Sequence, residues 1–335
     1  MPTLAGTTST YSVSSGGGNR EDLEDVIYDL FPDDSWALTN LDKTKASATY
    51  HEWLGDQLTA AGSNINVEGA DATYSTSVAP ARYGNYTQIF KKTFIISGTQ
   101  EVVNKAGRRS EISRQAVKQM RELKNDVEYA LVRNQTGTAG AANTGRSLAS
   151  MEGWIGATSP SNSVATNVVL ATSATAVGNW QETASGTPTA HTDAGTSGSF
   201  TEASLRLALQ AAWDDGGDAD IILLNAFNKN LLNDFTSLAT RNVDLGRTQQ
   251  ASITGSADVY VSSFGVHKVV MHRHVRSETV MTIDSSLWAV AGLRGFSMEK
   301  MAKTGDGEKR QLLYEGTLVA RNWRGNAKIV GCSGT

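Results

Sequence analysis

The sequence predicts an α+β chain with two lobes, on three observations. Apolar residues recur at steps of three and four over 110–134; β-prone stretches flank a polar gap upstream of that run; and a helix–strand–helix–strands series begins at residue 200. Helices and strands in separate runs are the pattern of an α+β layering. The 335 residues are enough to bury a sizeable core, and the length prior is about two lobes. Apolar residues make up 39% and charged residues 19%, a balance that points to neither disorder nor a membrane protein. The longest apolar runs, such as Ile221-Ile222-Leu223-Leu224, are strand-sized, against the roughly 20 residues a bilayer requires. The Thr/Ser/Gly-rich opening lacks the cationic start and apolar segment of a secretory leader. Cys332 is the single cysteine, so no internal disulfide is expected and a reducing cytoplasm fits. A net charge of −4 gives no whole-chain attraction for nucleic acid.

The elements follow in order. The first 18 residues, ending in Gly16-Gly17-Gly18, read as a mobile tail. Asn19 can cap a short acidic helix in which Leu23, Val26, Ile27 and Leu30 recur at helical spacing until Pro32. Residues 49–54 and 86–96 are rich in aromatic and β-branched side chains, hence strands. About thirty polar and small residues separate them, a gap long enough to predict a hairpin projecting from the body. After Gly107, Ser110 can cap the strongest helix, 110–134, with Ile112, Ala116, Met120, Leu123, Val127 and Leu131 on one face. At 1.5 Å per residue it would run about 37 Å.

Residues 136–200 hold only four charged residues, Arg146, Glu152, Glu182 and Asp193, among Gly, Ala, Ser, Thr and Asn. They read as a surface excursion between the lobes, with a possible strand at Val168-Val169-Leu170. Thr201 then caps a helix with Leu205, Leu209, Ala212 and Trp213, and Phe200 with Leu205 form a hydrophobic staple. Asp220–Leu224 reads as a strand buried on both faces, followed by a helix with Phe227, Leu231, Leu232 and Phe235. Further strands are expected at 258–263, 266–274, 279–283 and 287–292. Gly305-Asp306-Gly307 marks a turn between extended runs at 296–303 and 308–321. A last strand is expected at 327–330, and these C-terminal strands are expected to pack back on the long helix.

An ordered set of segments carries a family resemblance: Arg20-Glu-Asp-Leu-Glu-Asp-Val-Ile-Tyr-Asp-Leu-Phe-Pro32, Ala48-Thr-Tyr-His-Glu-Trp-Leu54, Val67-Glu-Gly-Ala-Asp-Ala72 and Asn85-Tyr-Thr-Gln-Ile-Phe-Lys-Lys-Thr-Phe94, then Ser97-Gly-Thr-Gln-Glu101, Asp126-Val-Glu-Tyr-Ala-Leu131, Ala302-Lys-Thr-Gly-Asp306 and Glu308-Lys-Arg-Gln311. Together they resemble major capsid proteins of tailed bacteriophages with the Hong Kong 97-type fold. The likeness weakens over 136–200 and after Asn322. It implies an N-terminal arm over 1–44, an extended E-loop hairpin over 45–97, and a peripheral domain over 98–199 with 110–134 as its spine helix. An axial domain would occupy 200–295, with 296–335 returning as strands to the peripheral domain. The function implied is a subunit that assembles with copies of itself, as hexamers and pentamers, into an icosahedral shell around double-stranded DNA, in the virion and built in the host cytoplasm. Partners implied are a portal protein at one vertex, a separate scaffolding protein and a decoration protein; no membrane, cofactor or sequence-specific DNA contact is expected. An encapsulin-like compartment shares the fold and is the alternative; a tail or adhesion protein is a more distant one.

The residues offer little chemistry. Two imidazoles of His272-Arg273-His274 on one strand face make a weak metal candidate without a Cys or carboxylate cluster, and ordinary strand histidines are the simpler reading. Asp214, Asp215 and Asp218 beside Gly216-Gly217 read as a solvated turn before a calcium site. Cys332 has no evident base partner. No nucleophile elbow, Walker loop or dinucleotide fingerprint occurs, and no catalytic or metal residue is assigned. Charge patterning is more informative. Residues 20–34 carry −6, whereas 91–133 hold ten basic and five acidic residues, net +5. Complementary segments in one chain suit a lattice in which the arm of one subunit lies on the next, ahead of a plain solvated surface or a nucleic-acid patch. The contact candidates are Asp22, Glu24, Asp25, Leu23, Val26, Ile27 and Leu30 on the arm, and Lys91, Lys92, Arg108, Arg109 and Arg114 opposite them.

Overall fold

A computed structural model describes residues 35–56, 58, 61–72, 74, 79–155, 200–235 and 258–332, together with Ile27 and the backbone of 167–169. In chain order the elements are α1 (Trp36–Asn40), β1 (Asp42–Lys45), β2 (Tyr50–Gly55), β3 (Ala81–Tyr86), β4 (Gln88–Ser97), α2 (Gly98–Val102), α3 (Glu111–Val132), α4 (Met151–Trp154) and β5 (Asn167–Val169). They continue with α5 (Glu202–Asp214), β6 (Ile221–Leu224), α6 (Ala226–Asn233), β7 (Val259–Ser262), β8 (Gly265–Met271), β9 (Thr279–Ile283), β10 (Trp288–Lys300), β11 (Gly307–Ala320) and β12 (Ala327–Val330). The strands make a four-stranded sheet ordered β1-β10-β11-β4, a six-stranded sheet ordered β5-β12-β9-β6-β8-β7, and the β2–β3 pair.

The long helix starts where the sequence places it. Ser110 accepts the N–H of Ser113, and the Glu101 carboxylate accepts those of Glu111 at 3.0 Å and Ile112 at 3.4 Å. Ser97 likewise caps α2, so the Ser97-Gly-Thr-Gln-Glu101 motif opens two helices in succession. Its Ser97 starts α2, and its Glu101 places a negative charge at the start of α3. Leu123, Val127, Ala130 and Leu131 are buried on one stripe of α3 and share a core with Phe90, Leu312, Tyr314 and Leu318 of the four-stranded sheet.

The six-stranded sheet is covered on both sides, which is why all four residues of β6 are buried. Ile221, Leu223, Met281 and Ile283 join the core of α3. Ile222, Leu224, Val280 and Ile329 pack with Leu205, Leu209 and Ala212 of α5. Thr201 and Ser204 form a reciprocal capping box at the start of α5. After α5 the backbone of Gly217 crosses that of Gly325 so closely that a Cβ would stand 1.8 Å from the Gly325 carbonyl oxygen. Only glycine fits that crossing.

Several sequence expectations are corrected. The projecting hairpin pairs 50–55 with 81–86, not with 86–96. The chain changes sheets at Thr87, and β4 pairs with β11. β-Propensity is the same on both sides of Thr87, so composition could not locate the break. The expected strands at 287–292 and 296–303 are one strand, β10, which carries register shifts on either side of Arg294. β12 does not return to α3; it pairs with β9 and β5 in the six-stranded sheet. The surface excursion expected over 136–200 holds for 136–147, which are exposed or half-buried, but not for 148–155, where Leu148, Ala149, Met151, Trp154 and Ile155 are all buried in the main core. The strand expected at 168–170 is β5, one residue earlier at Asn167–Val169, while the rest of 156–199 lies outside the described residues. β8 ends at Met271, so His272 and His274 belong to the turn that follows, with rings 5.5 Å apart and T-shaped. Among the described residues no three His, Cys, Asp or Glu side chains are grouped to hold a metal ion. Cys332 is packed in the interior, and burial pushes its thiol up to about 12.

Candidate assembly surfaces

The β2–β3 hairpin is anchored at its root by side chains that the sequence reading passed over. Asn85 is fully buried. Its amide nitrogen donates to the carbonyls of Ala149 and Leu318, both at 2.9 Å, and its oxygen accepts the Ala149 N–H at 2.8 Å. A carboxamide is the side chain that can serve a donor and two acceptors of the backbone at once. Gln88 accepts from Gln135 at 2.6 Å and from the Leu148 N–H at 3.2 Å. Glu315, 3% exposed, accepts from Arg146 and Arg294, each at 2.7 Å, and from the Thr87 hydroxyl at 3.1 Å. Burial pushes its carboxyl up, but the bonds from Arg294, Thr87 and Arg146 outweigh it and hold Glu315 below the ordinary carboxylate range. The irregularity in β10 brackets Arg294, the kind of break that re-aims a side chain. Around this polar joint Trp53 stacks obliquely on Trp154 at 5.4 Å, Trp154 on Trp323 at 5.6 Å, and Tyr83 meets Trp323 edge-on at 4.5 Å.

The far end of the hairpin is the opposite. Leu54 is 68% exposed, Ile65 90%, Val67 80%, Tyr74 95%, and Leu58 completely so. Five large apolar side chains between 54 and 74 are thus left uncovered by the rest of the described chain.

The charged candidates divide into two groups. Lys92 pairs with Asp126 at 2.7 Å. Arg108 pairs with Glu111, and Arg114 reaches Glu111 at 3.3 Å. These three cations are therefore engaged within their own chain along α3. Lys91 and Arg109 are exposed. On the arm, Ile27 is 42% exposed; Asp22, Leu23, Glu24, Asp25, Val26 and Leu30 lie outside the described residues. A usable signal for the root was present in the sequence. In the nearly uncharged 136–200 stretch, Arg146 and Glu152 each form a buried or half-buried ion pair, to Glu315 and Arg276. An isolated charge among small neutral residues is rarely ornamental.

Residues 4–333 match the family described as SU10 major capsid protein. The chain belongs to the SU10 major capsid protein family. Over 122 residues it is 29% identical to the major capsid protein of Escherichia phage Phieco32, which is 36% of this chain and about a third, 35%, of that relative's length. Solved structures share the fold at low identity. The capsid of a native GTA particle aligns with a TM-score of 0.64 at 9% identity, covering 97% of this chain and 99% of that one. The capsid of cyanophage A-1(L) gives 0.64 at 12%, with the same coverage. Gordonia phage Cozz gives 0.56 at 12%, covering 100% and 98%. The fold of this capsid-family chain is the Hong Kong 97-type fold that the ordered segments implied.

Proposed function

We propose that this capsid-family chain closes with copies of itself, as hexamers and pentamers, into an icosahedral shell that encloses double-stranded DNA in a phage virion. The observation that carries the reading is the hairpin, rigidly rooted in its own subunit and ending in uncovered apolar side chains. A surface of that kind is completed by a neighbour, and the family and fold make that neighbour a second copy. In this reading the β2–β3 hairpin, within the 45–97 expected for the extended loop, is laid across the next subunit, α3 is the spine of the peripheral domain, and the six-stranded lobe is the axial domain. The acidic arm lies on a neighbouring subunit near Lys91 and Arg109, the basic candidates left exposed. Assembly in the host cytoplasm, a portal at one vertex, a scaffolding protein and a decoration protein complete the proposal. Among fold relatives, the phage G major capsid protein is solved together with decoration proteins.

Electron microscopy of the protein expressed alone and with its neighbouring phage proteins tests the central statement. Closed hollow particles are expected; a strictly monomeric protein at high concentration in both cases would overturn it. Deleting residues 1–34 should leave a folded subunit whose shells are less heat-stable. Charge reversal at Asp22, Glu24 and Asp25 should be partly rescued by reversing Lys91 and Arg109.

A further inference from the structure

The His272-Arg273-His274 motif serves a different purpose from the metal site considered above. His272 and Glu128 are both fully buried, and His272 Nε2 lies 2.8 Å from Glu128 Oε1. The same oxygen accepts the backbone N–H of Ala37 at 2.6 Å, and Oε2 accepts that of Leu38 at 2.8 Å. These amides open α1, and Ser35, in the capping position, makes no side-chain cap bond. The first N–H groups of a buried helix need partners, and here a carboxylate some 90 residues further along the chain supplies them. In the sequence α1, with Ser35 at its cap, directly follows residues 1–34, the greater part of the expected 1–44 arm.

The imidazole is itself oriented. The backbone N–H of His274 donates to His272 Nδ1 at 3.1 Å. An amide N–H can only donate, so Nδ1 accepts from His274, which aims the Nε2 side of the ring at Glu128. His274 stands edge-on to His272 at 5.5 Å and to Tyr129 at 5.7 Å. The turn after β8 thus grips α3 at two successive residues, Glu128 through His272 and Tyr129 through His274.

We infer that His272 is a positioning residue for the root of the N-terminal arm. Held by the turn that leaves the six-stranded sheet, it orients the Glu128 carboxylate, and the carboxylate holds the start of α1. Without the imidazole, Oε1 loses one of its two donors and a buried charge loses one of three bonds, so the carboxylate is no longer confined to the geometry that serves both amides. A displacement of the turn at 272–277 is then felt where the arm leaves the body, although the two are far apart in sequence. The importance of this for assembly rests on the arm being a lattice contact.

Hydrogen exchange of the free full-length subunit tests the positioning separately from assembly. His272→Asn keeps an acceptor near Nδ1 but cannot reach Glu128, whereas His272→Gln can place an amide N–H near the Nε2 position. In His272→Asn the amides of Ala37 and Leu38 should exchange faster on the order of tenfold, while those of Ile222 and Leu123 keep their protection. His272→Gln should restore most of the difference. Glu128→Gln, which offers one acceptor oxygen in place of two, should expose the same two amides by an independent route. Unchanged exchange at Ala37 and Leu38 in either His272→Asn or Glu128→Gln overturns the inference, as does an equal loss of protection throughout β6 and α3. If the two amides respond as expected but His272→Asn shells melt with the parent's, the positioning holds and the lattice role of the arm is what fails.

Discussion

The root and the tip of the β2–β3 hairpin are built from the same short stretch of chain and solve opposite problems. At the root, every bond of the Asn85 amide goes to a backbone group of another element, two arginines and a hydroxyl converge on Glu315, and four aromatic rings pack into one cluster. At the tip, Leu58, Ile65, Val67 and Tyr74 face outward. Ordering a backbone costs about 1–2 kcal/mol per residue. The root offsets that within the subunit; the tip has no such contacts among the described residues. The difference teaches that a subunit can be stable alone and still incomplete, with its direction of growth set by the stable half.

Substitutions at the root and tip separate the two, and the largest effect is expected at Asn85. Asn85→Leu keeps the branched shape, with somewhat more bulk, but strands one N–H and two carbonyls in the interior, at about 1–3 kcal/mol for each orphaned group. Chemical denaturation of the free subunit should show a loss of about 3 kcal/mol or more. A loss within about 0.5 kcal/mol, the range of ordinary surface changes, would mean that the root is held by packing alone.

Glu315 comes next. Glu315→Gln keeps one acceptor but removes the charge facing Arg146 and Arg294, and a loss of about 2 kcal/mol is expected for a buried, hydrogen-bonded carboxylate. The pH dependence follows from the depressed carboxyl. With the folded value below the unfolded one, the native state binds the proton less readily. The stabilisation is present above the unfolded glutamate value of about 4.3 and is lost as pH falls through the lower folded value. Denaturation midpoints from pH 7 to 2 should therefore fall more steeply for the parent than for Glu315→Gln; parallel curves would remove Glu315 from the acid response.

Asp126→Asn tests the pair with Lys92, in which the carboxylate is 50% exposed. Solvent screening limits such a pair to about 0–1 kcal/mol, and a larger change in thermal midpoint would show that Lys92 does more than pair on the surface of α3. The smallest effect on the free subunit is expected at the tip. Leu58→Ser, Val67→Ser and Tyr74→Ser together should stay within about 0.5 kcal/mol by denaturation, yet lower the melting temperature of assembled particles. A comparable loss in the free subunit would show that the tip packs on its own body.

Much of the local structure was legible in the sequence. The stripe from Ile112 to Leu131 and the cap at Ser110 place α3 to within two residues. Thr201, the apolar run at 221–224 and the 305–307 turn locate α5, β6 and the β10–β11 connection in the same way. The projecting hairpin was legible from its polar gap. Its partner strand was not, because 81–86 and 88–97 have similar propensities and the switch between sheets at Thr87 leaves no periodic mark. Trp154 and its neighbours were hidden for a related reason, as five core residues within a long polar segment are too few to show a period.

What the sequence by itself determined was element type and order, since caps, turns and apolar spacing act over three or four residues. Only the tertiary structure decided which charges remain available. Arg108 and Arg114 pair with Glu111 three residues away, a spacing the sequence offers. Counting signs over 91–133, however, also treats Lys92 as a surface cation, although it meets Asp126 of α3 across the fold. The three carboxylates that organise the interior, Glu128, Glu152 and Glu315, find partners 90 to 228 residues away, and Glu315 also meets Arg294, 21 residues away across the β10–β11 pair. An electrostatic bond depends on distance in space and on the water excluded around it, and neither quantity is written in the order of residues along a chain.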